Sequence, residues 1–225
     1  VPTPHLIAHL HQTNSVAVAL SSSIPTRLPA AHAAITACQA IGVPVLAGGS
    51  AFGPDGRYAR MFGADGWAGD ARGAADRLLE LKPRPAVPAH HPIEDLPHLS
   101  DQEYTFVARN SHSLVRQTLQ GLGATPSGLL DDDEQQGLAE DIATLVGFLS
   151  AALYVNDETL FSRHVEWIEG ILAARSASAD WLPRALDLLL VPLGDFTRAR
   201  RFVDTARRVL VGHLDGPSTN AGSLP

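Results

Sequence analysis

A proline-rich segment divides the sequence into two parts with different hydrophobic periods. From Lys82 to Pro92 the chain reads KPRPAVPAHHP, with four prolines in eleven residues. Each proline lacks an amide donor and restricts the residue before it, so a regular helix or a central strand cannot run through this stretch. We therefore predict an α/β domain over residues 1–81, a linker over 82–98, a helical domain over 99–215 and a disordered tail over 216–225.

Short apolar runs alternate with helical segments before the linker. Strands are predicted over 15–20, 43–47 and 66–68, and helices over 28–41, 58–62 and 71–81. The first two runs are apolar on both faces, which is typical of parallel strands buried on both sides. The β-α-β-α-β-α order predicts a doubly wound parallel sheet, Rossmann-like or flavodoxin-like, with ligands at the carboxyl ends of its strands.

The hydrophobic period is helical throughout the second part. We predict a bundle of about five helices, over 101–122, 138–155, a segment that begins at 156–158, 180–193 and 195–214. The segment from Leu138 to Val155 is the most apolar and is predicted to be the central buried helix. Asn156, Asp157 and Glu158 precede the third helix and are predicted to cap it.

The distribution of charge argues against a nucleic-acid surface. The chain has 225 residues and a formal net charge of −7; residues 1–95 carry 7 acidic and 7 basic side chains, whereas residues 96–225 carry 17 and 10. A protein that neutralises phosphates needs clustered excess lysine and arginine. A local arginine cluster near the C-terminus is interpreted as a solvated helix face and comprises Arg198, Arg200, Arg201, Arg207 and Arg208.

The sequence also favours a cytoplasmic protein without a membrane anchor. Its apolar runs fall short of the roughly 18 to 20 residues that a spanning helix needs. A single cysteine, Cys38, excludes an internal disulfide and a cysteine-rich metal site within these residues. A convergent set of catalytic side chains is not evident either, so we do not expect an enzyme.

Small residues follow the first two predicted strands. Ser21, Ser22 and Ser23 come after the first strand, and Gly48 and Gly49 after the second. Small side chains let a ligand approach the backbone, and free amides at such turns donate hydrogen bonds. Because parallel strands end at the same edge of a sheet, these loops are predicted to form a binding site together.

The order and spacing of these residues resemble the C-terminal part of a cobalamin-binding domain, over residues 1–80. The serine run, the Gly-Gly pair, Phe52 and the later Gly63-Ala64-Asp65 carry the resemblance. In that family the serine and glycine elements line a slot for the dimethylbenzimidazole nucleotide tail. The resemblance implies adenosyl-, methyl- or hydroxocobalamin as cofactor, bound by Ser21, Ser22, Ser23, Thr26, Gly48, Gly49, Ser50 and Phe52.

The cobalt-ligating motif of that family, Asp-x-His-x-x-Gly, does not occur in the 225 residues. In the family it follows the first strand, so the resemblance leaves two alternatives. Either the cobalt-ligating histidine and the N-terminal portion of the sheet are expected upstream of Val1, or the protein lacks this ligand and binds cobalamin weakly, base-on or not at all. His5, His9 and His11 fall on the second helix of the domain and are expected to be surface residues. A missing strand would also expose the edge of the strand at 15–20, so a homodimer or a regulatory protein partner is expected to cover it.

The second half is similar, on hydrophobic positions alone, to globin-like helical sensor modules that lack haem. His164 and Trp167 are three residues apart and share a helix face, so they are candidates to contact the upper corrin face. A core position is the more ordinary interpretation of Trp167.

Three functions follow from these interpretations. The first is a cobalamin-binding regulator or sensor, which could respond to light and would signal through its helical domain. The second is a corrinoid carrier subunit for methyl transfer or a mutase, and the third is a cofactor-free signalling scaffold of the same fold. Carriers place their helical module before the binding domain, so the order found here favours the regulator.

Overall fold

The computed structural model describes residues 3–81, 101–123, 132–175 and 180–214. The predicted linker at 82–98 and the predicted tail at 216–225 lie outside these residues. The chain divides into two compact units, residues 1–100 and 101–225. The first unit is α/β and the second is helical, as the hydrophobic periods predict.

The first unit contains three parallel strands in the order β1-β2-β3. Its strands are β1 (Val18–Ser21), β2 (Val45–Gly48) and β3 (Gly66–Ala68), and its helices are α1 (Thr3–Thr13), α2 (Leu28–Ala40), α3 (Arg57–Met61) and α4 (Ala71–Glu80). Short 3-10 turns, Pro25–Arg27 and Ser50–Phe52, follow β1 and β2. All three predicted strands are present, and the first begins at Val18 because the residues before it do not pair with β2.

The register brings the strand ends to one edge. Ser21 of β1 lies opposite Gly48 of β2, which in turn lies opposite Ala68 of β3. β1 is the end strand of the described sheet, and Val16, just before it, is 68% exposed. This exposed edge agrees with the expectation that the strand lacks a neighbour in the described chain.

One face of the sheet carries small side chains. Residues opposite one another in register point to the same face. One face therefore carries Ala19, Ser21, Leu46, Gly48, Gly66 and Ala68. A Cβ on Gly66 would lie 2.9 Å from the end of the Leu46 side chain, so a larger residue at this position would require that side chain to shift.

The second unit contains six helices in the described residues, one more than predicted. They are α5 (Glu103–Arg109), α6 (Ser111–Gly123), α7 (Asp132–Val155), α8 (Glu158–Ala174), α9 (Trp181–Leu190) and α10 (Thr197–Leu214). The additional helix arises because the predicted helix over 101–122 breaks at Asn110. The backbone and side-chain amides of Asn110 both donate to the carbonyl oxygen of Phe106, at 3.0 and 2.9 Å. An asparagine side chain that shares a helical carbonyl in this way destabilises and bends a helix.

α7 is the central helix of the second unit, as predicted. Ile142, Leu145, Leu149 and Leu153 are fully buried, and α7 packs against α5, α6, α8 and α10. By length and composition alone, the 21 residues Gln135–Val155 could cross a membrane, which differs from the expectation that the apolar runs are too short. Half of the apolar 18-residue window within this segment is buried inside the protein. The core helix of a soluble bundle has the same properties.

Candidate functional site

A cavity of about 370 Å³ opens at the carboxyl ends of the three strands. We call it the strand-end cavity. It is lined by Ala19, Leu20, Ser21, Leu46, Ala47, Gly48, Gly49, Ala68, Gly69, Asp70, Ala71 and Ala74. Its volume falls in the range of small-ligand sites. The expectation of a site at this edge of the sheet therefore corresponds to a real concavity.

The loops after β1 and β2 are joined by backbone hydrogen bonds. The amide of Ser22 donates to the carbonyl of Gly48 at 3.0 Å, and the amide of Ala51 donates to the carbonyl of Ser22 at 3.0 Å. The Ser50 hydroxyl donates to the carbonyl of Ser23 at 3.0 Å. These bonds hold the two loops side by side and define one wall of the cavity.

Gly49 is required by this close approach. Its φ is +93°, and a Cβ at this position would lie 2.3 Å from the carbonyl oxygen of Ser22. A Cβ on Gly48 would lie 3.1 Å from the carbonyl oxygen of Ala68, a tighter contact than most side chains tolerate. The Gly-Gly pair therefore has a structural reason that holds with or without a ligand.

The structure brings some of the predicted site residues together and places others elsewhere. Ser21, Gly48 and Gly49 line the cavity directly. Ser22, Ser23 and Ser50 build the adjoining loops, and Thr26 lies in the turn Pro25–Arg27, which contacts the turn Ser50–Phe52.

Phe52 does not contribute a cavity wall. Its side chain is fully buried, and it belongs to the core of the first unit. It lies in the turn Ser50–Phe52, which follows β2, and its burial keeps the ring away from the surface that a ligand could reach.

The third strand contributes residues that the sequence interpretation missed. Gly69, Asp70, Ala71 and Ala74 line the cavity from the end of β3 and the first turns of α4. Asp70 is the N-cap of α4, since its Oδ1 accepts from the amide of Gly73 at 2.8 Å. An aspartate three residues before a glycine, directly after a short strand, was the signal that could have identified this wall.

Asp65 of the Gly63-Ala64-Asp65 motif acts at the opposite end of the sheet. Its Oδ2 accepts from the amide of Val45 at 2.8 Å and from Nε2 of Gln39 at 3.1 Å. Nε2 of Gln39 also donates to the carbonyl of Gly63 at 2.7 Å. Val45 is the first residue of β2, so Asp65 joins the amino ends of β2 and β3 and does not reach the strand-end cavity.

A second candidate site is an aromatic stack in the helical unit. The His164 ring lies parallel to the Phe148 ring, with centroids 3.5 Å apart, and its other neighbour is Trp167 at 5.7 Å. His164 is 6% exposed, and its Nε2 is buried without a hydrogen-bond partner in the described structure. Burial lowers the pKa of His164 to about 4, so the imidazole is neutral near pH 7.

The interpretation of Trp167 as a core residue was wrong. Its side chain is 60% exposed. The core face of α8 is formed by Phe161, Val165 and Ile168, and Trp167 points about 100° away from Ile168 around the helix. The ring therefore covers the outer side of His164 and is accessible from solvent.

The N-terminal histidines are surface residues, as expected. His5, His9 and His11 lie on α1 and are exposed. Among the described residues, no group of three or more histidine, cysteine, aspartate or glutamate side chains is arranged to hold a metal ion.

No family model matches the chain, and no curated protein is significantly similar to it. The chain combines an α/β unit with a strand-end cavity and a helical unit in which an exposed Trp167 ring stacks on a buried His164.

Proposed function

We propose that this chain is a cobalamin-binding regulatory protein. In this proposal the α/β unit is part of a doubly wound, Rossmann-like or flavodoxin-like domain, and its strand-end cavity holds the nucleotide tail of the corrinoid. The observation that carries the proposal is the cavity itself, which is bordered by Ser21, Gly48 and Gly49 in the order that the resemblance implies.

The lining of the strand-end cavity fits a flat, weakly polar ring. Its walls are mostly glycine, alanine and leucine, and the exposed Ser21 hydroxyl is the neutral hydrogen-bonding side chain among them. Backbone groups of the Gly48-Gly49 turn supply further polar contacts because no side chain shields them. When bound, the corrinoid would supply visible absorbance and a cobalt-held upper ligand, while the protein's residues bind and orient its tail.

The helical unit would report the state of the cofactor. Trp167 offers an accessible aromatic ring, whereas His164 lies behind it and against Phe148. His164 and Trp167 are the two candidates for contact with the upper corrin face. Trp167 is the better candidate because its ring is exposed on the helical unit, whereas the His164 ring is buried. A homodimer or a regulatory partner would receive the signal, and the exposed edge of β1 is available for pairing.

A cofactor-free scaffold is the second candidate function. It is favoured by the close contact between Gly49 and Ser22, because that contact explains the Gly-Gly pair without any ligand. A scaffold of this kind would keep the turn and would not retain a corrinoid.

The two functions differ in their prediction for corrinoid retention. The full chain is incubated with hydroxocobalamin or adenosylcobalamin in the dark, desalted, and examined by absorption spectroscopy before and after illumination. Retained corrin absorbance in proportion to protein supports the regulator, and a light-dependent change in size would identify a light sensor. Loss of all corrin absorbance on desalting contradicts cobalamin binding and favours the scaffold.

Two variants of α4 locate the site. Ala74 lines the cavity, whereas Ala75 is exposed and is not part of the lining. Ala74→Leu fills the cavity and is expected to weaken corrinoid binding at least tenfold, while Ala75→Leu leaves it unchanged. Leucine suits both helical positions, so a loss specific to Ala74→Leu reports the cavity and not helix stability. Equal affinities of the two variants would contradict the site.

A further inference from the structure

We propose that the free edge of β1 pairs with β1 of a second copy of this chain, in an antiparallel arrangement that joins the two three-stranded sheets. The inference rests on the proposed function for one point, the expected partner at this edge, and deepens it by naming a second copy as that partner. The pairing itself needs no corrinoid.

The backbone of β1 has hydrogen-bonding groups on its free side. On the other side, the amide of Val18 donates to the carbonyl of Pro44, beside β2, at 2.9 Å. Alternate residues of a strand direct these groups to opposite sides, so the N–H and C=O groups of Ala19 and Ser21 are directed away from β2. Within the described residues these groups have no hydrogen-bond partner. A further strand is the structure that pairs with such a row of groups.

The edge of β1 also lacks the features that keep exposed strands apart. Edge strands that stay unpaired usually carry a charged residue, a proline or a bulge. From Ser15 to Ile24 the sequence contains neither a charged residue nor a proline. Val16 is 68% exposed, and the side chain of Ala19 is exposed as well. An apolar and accessible edge of this kind is expected to be covered by another strand.

The opposite end of the sheet is less suited to pairing. β3 comprises three residues, Gly66–Ala68, and so short a strand offers few groups to a partner. The carbonyl of Trp67, in the middle of β3, already accepts a hydrogen bond from Nη1 of Arg77 on α4. β1 is therefore the better pairing edge of the described sheet. Pairing through one edge on each copy gives a closed dimer and not a growing chain of copies.

A second copy fits this edge because two β1 strands are complementary to one another. The chain bends at Val16, so the segment beyond the bend is 17–21 and its middle residue is Ala19. An antiparallel pair centred there places Ala19 opposite Ala19 of the second copy, as a hydrogen-bonded pair. It also places Val18 opposite Leu20 of the second copy, so that apolar side chains meet on one face and small ones on the other. The segment contains no charges that would repel a second copy.

Substitutions at the centre of the pair test both the partner and the register. Analytical ultracentrifugation of the full chain without corrinoid measures association, and we expect the wild type to form a dimer. Ala19→Lys should weaken association at least about tenfold, because two lysines would lie opposite one another. An equimolar mixture of the Ala19→Lys and Ala19→Glu variants should restore the dimer, which requires that both variants fold. Ala75→Lys, at an exposed position of α4, adds the same charge and should dimerise as the wild type does.

The outcomes for this inference are separate from those for the proposed function, because dimerisation and corrinoid retention are measured independently. A monomeric wild type overturns the inference and leaves the edge of β1 to a strand of a different protein. The inference is also overturned if Ala19→Lys dimerises as strongly as Ala75→Lys, or if the lysine and glutamate variants do not dimerise when mixed. A dimer that responds to these variants as expected, in a chain that loses all corrin absorbance on desalting, supports the inference and contradicts cobalamin binding alone.

Discussion

The carboxylate of Glu103 accepts a hydrogen bond from the backbone amide of Ala199, 96 residues later in the chain, at 2.6 Å. Its other oxygen accepts from the amide of Arg198 at 3.0 Å. Glu103 is buried at the start of α5, so it satisfies two free amides in the first turn of α10. A side chain from a distant helix therefore acts as the cap that the local sequence of α10 does not supply.

Removal of this cap should destabilise the helical unit. Glu103→Ala leaves the buried amide of Ala199 and the half-buried amide of Arg198 unpaired, and we expect a loss of about 3 kcal/mol in the free energy of unfolding. Urea denaturation followed by circular dichroism measures it. Glu140→Ala, an exposed position on α7, is the control and should cost less than about 0.5 kcal/mol. Equal stability of the two variants would contradict the capping role.

Arg198 is expected to be sensitive to a conservative substitution. Its guanidinium donates to both oxygens of Asp101, at 2.8 and 2.6 Å, and to the carbonyl of Leu153 at 2.6 Å. Lysine cannot reproduce this planar geometry, so Arg198→Lys should lower the free energy of unfolding by about 2 kcal/mol.

The control for Arg198 is another arginine of α10. Arg201 pairs with Glu158 at 3.4 Å, and both side chains are largely exposed. Because exposed ion pairs contribute little, Arg201→Lys should change the stability by less than about 0.5 kcal/mol in the same urea titration. If the Arg198 variant were as stable as the Arg201 variant, the network around Arg198 would not stabilise the unit.

The helical unit should lose stability as the pH falls. The pKa of His164 is about 4 in the folded state, against an ordinary value of 6.5, because burial disfavours the charged ring. The unfolded chain therefore binds the proton more readily between these values. The contribution of the neutral His164 ring to the free energy of unfolding is complete above pH 6.5. It is lost as the pH falls towards 4, by about 3 kcal/mol in total.

His164→Phe separates this effect from the titration of carboxylates. Phenylalanine can stack on Phe148 and carries no proton, so the variant should lose less stability than the wild type between pH 7.5 and 4.5. The free energy of unfolding in urea at several pH values measures the difference. His112→Gln, at an exposed position of α6, should follow the wild-type curve, and identical pH dependence for His164→Phe and wild type would contradict the assignment.

Gly49 and Gly63 test how much of the Gly-Gly turn is structural. Both have positive φ, but a Cβ on Gly49 would meet the Ser22 backbone, whereas a Cβ on Gly63 would have nothing within 4 Å. We expect Gly63→Ala to cost about 1 kcal/mol and Gly49→Ala more than about 2 kcal/mol. Hydrogen exchange of the β1 and β2 amides reports these costs. Similar protection in both variants would contradict the prediction that the Ser22 backbone excludes a side chain at position 49.

Several local features were predictable because they depend on short-range patterns. Hydrophobic period and turn residues predict the strands β1, β2 and β3, a cap for α8 within residues 156–158, and the central position of α7. The structure identifies Asp157 as the residue that caps α8. The helix break at Asn110 was not predicted because its side chain competes for a carbonyl one turn earlier, and the apolar period continues through the break.

The candidate site also contains some residues that the sequence predicts and others that it does not. Ser21, Gly48 and Gly49 could be identified as strand-end residues from their order in the sequence alone. Asp70 has the local pattern of an N-cap, but it was not assigned to the site because the short run Gly66–Ala68 gives little indication of where β3 lies relative to β2. Phe52 was assigned to the site by its position after Gly49, yet its ring turns into the core, since an apolar side chain in a tight turn gains more from burial.

The sequence by itself determined the division into an α/β part and a helical part, the order of strands and helices, and the small residues at the strand ends. These follow from patterns that repeat within one element. Only the tertiary structure decided that Asp70 completes the strand-end cavity, that Trp167 faces solvent over a buried His164, and that Glu103 caps α10. Each of these three features depends on how separate elements pack together or on which face of an element is turned outward. Burial and hydrogen-bond geometry determine these arrangements, and both are established only when the whole unit folds.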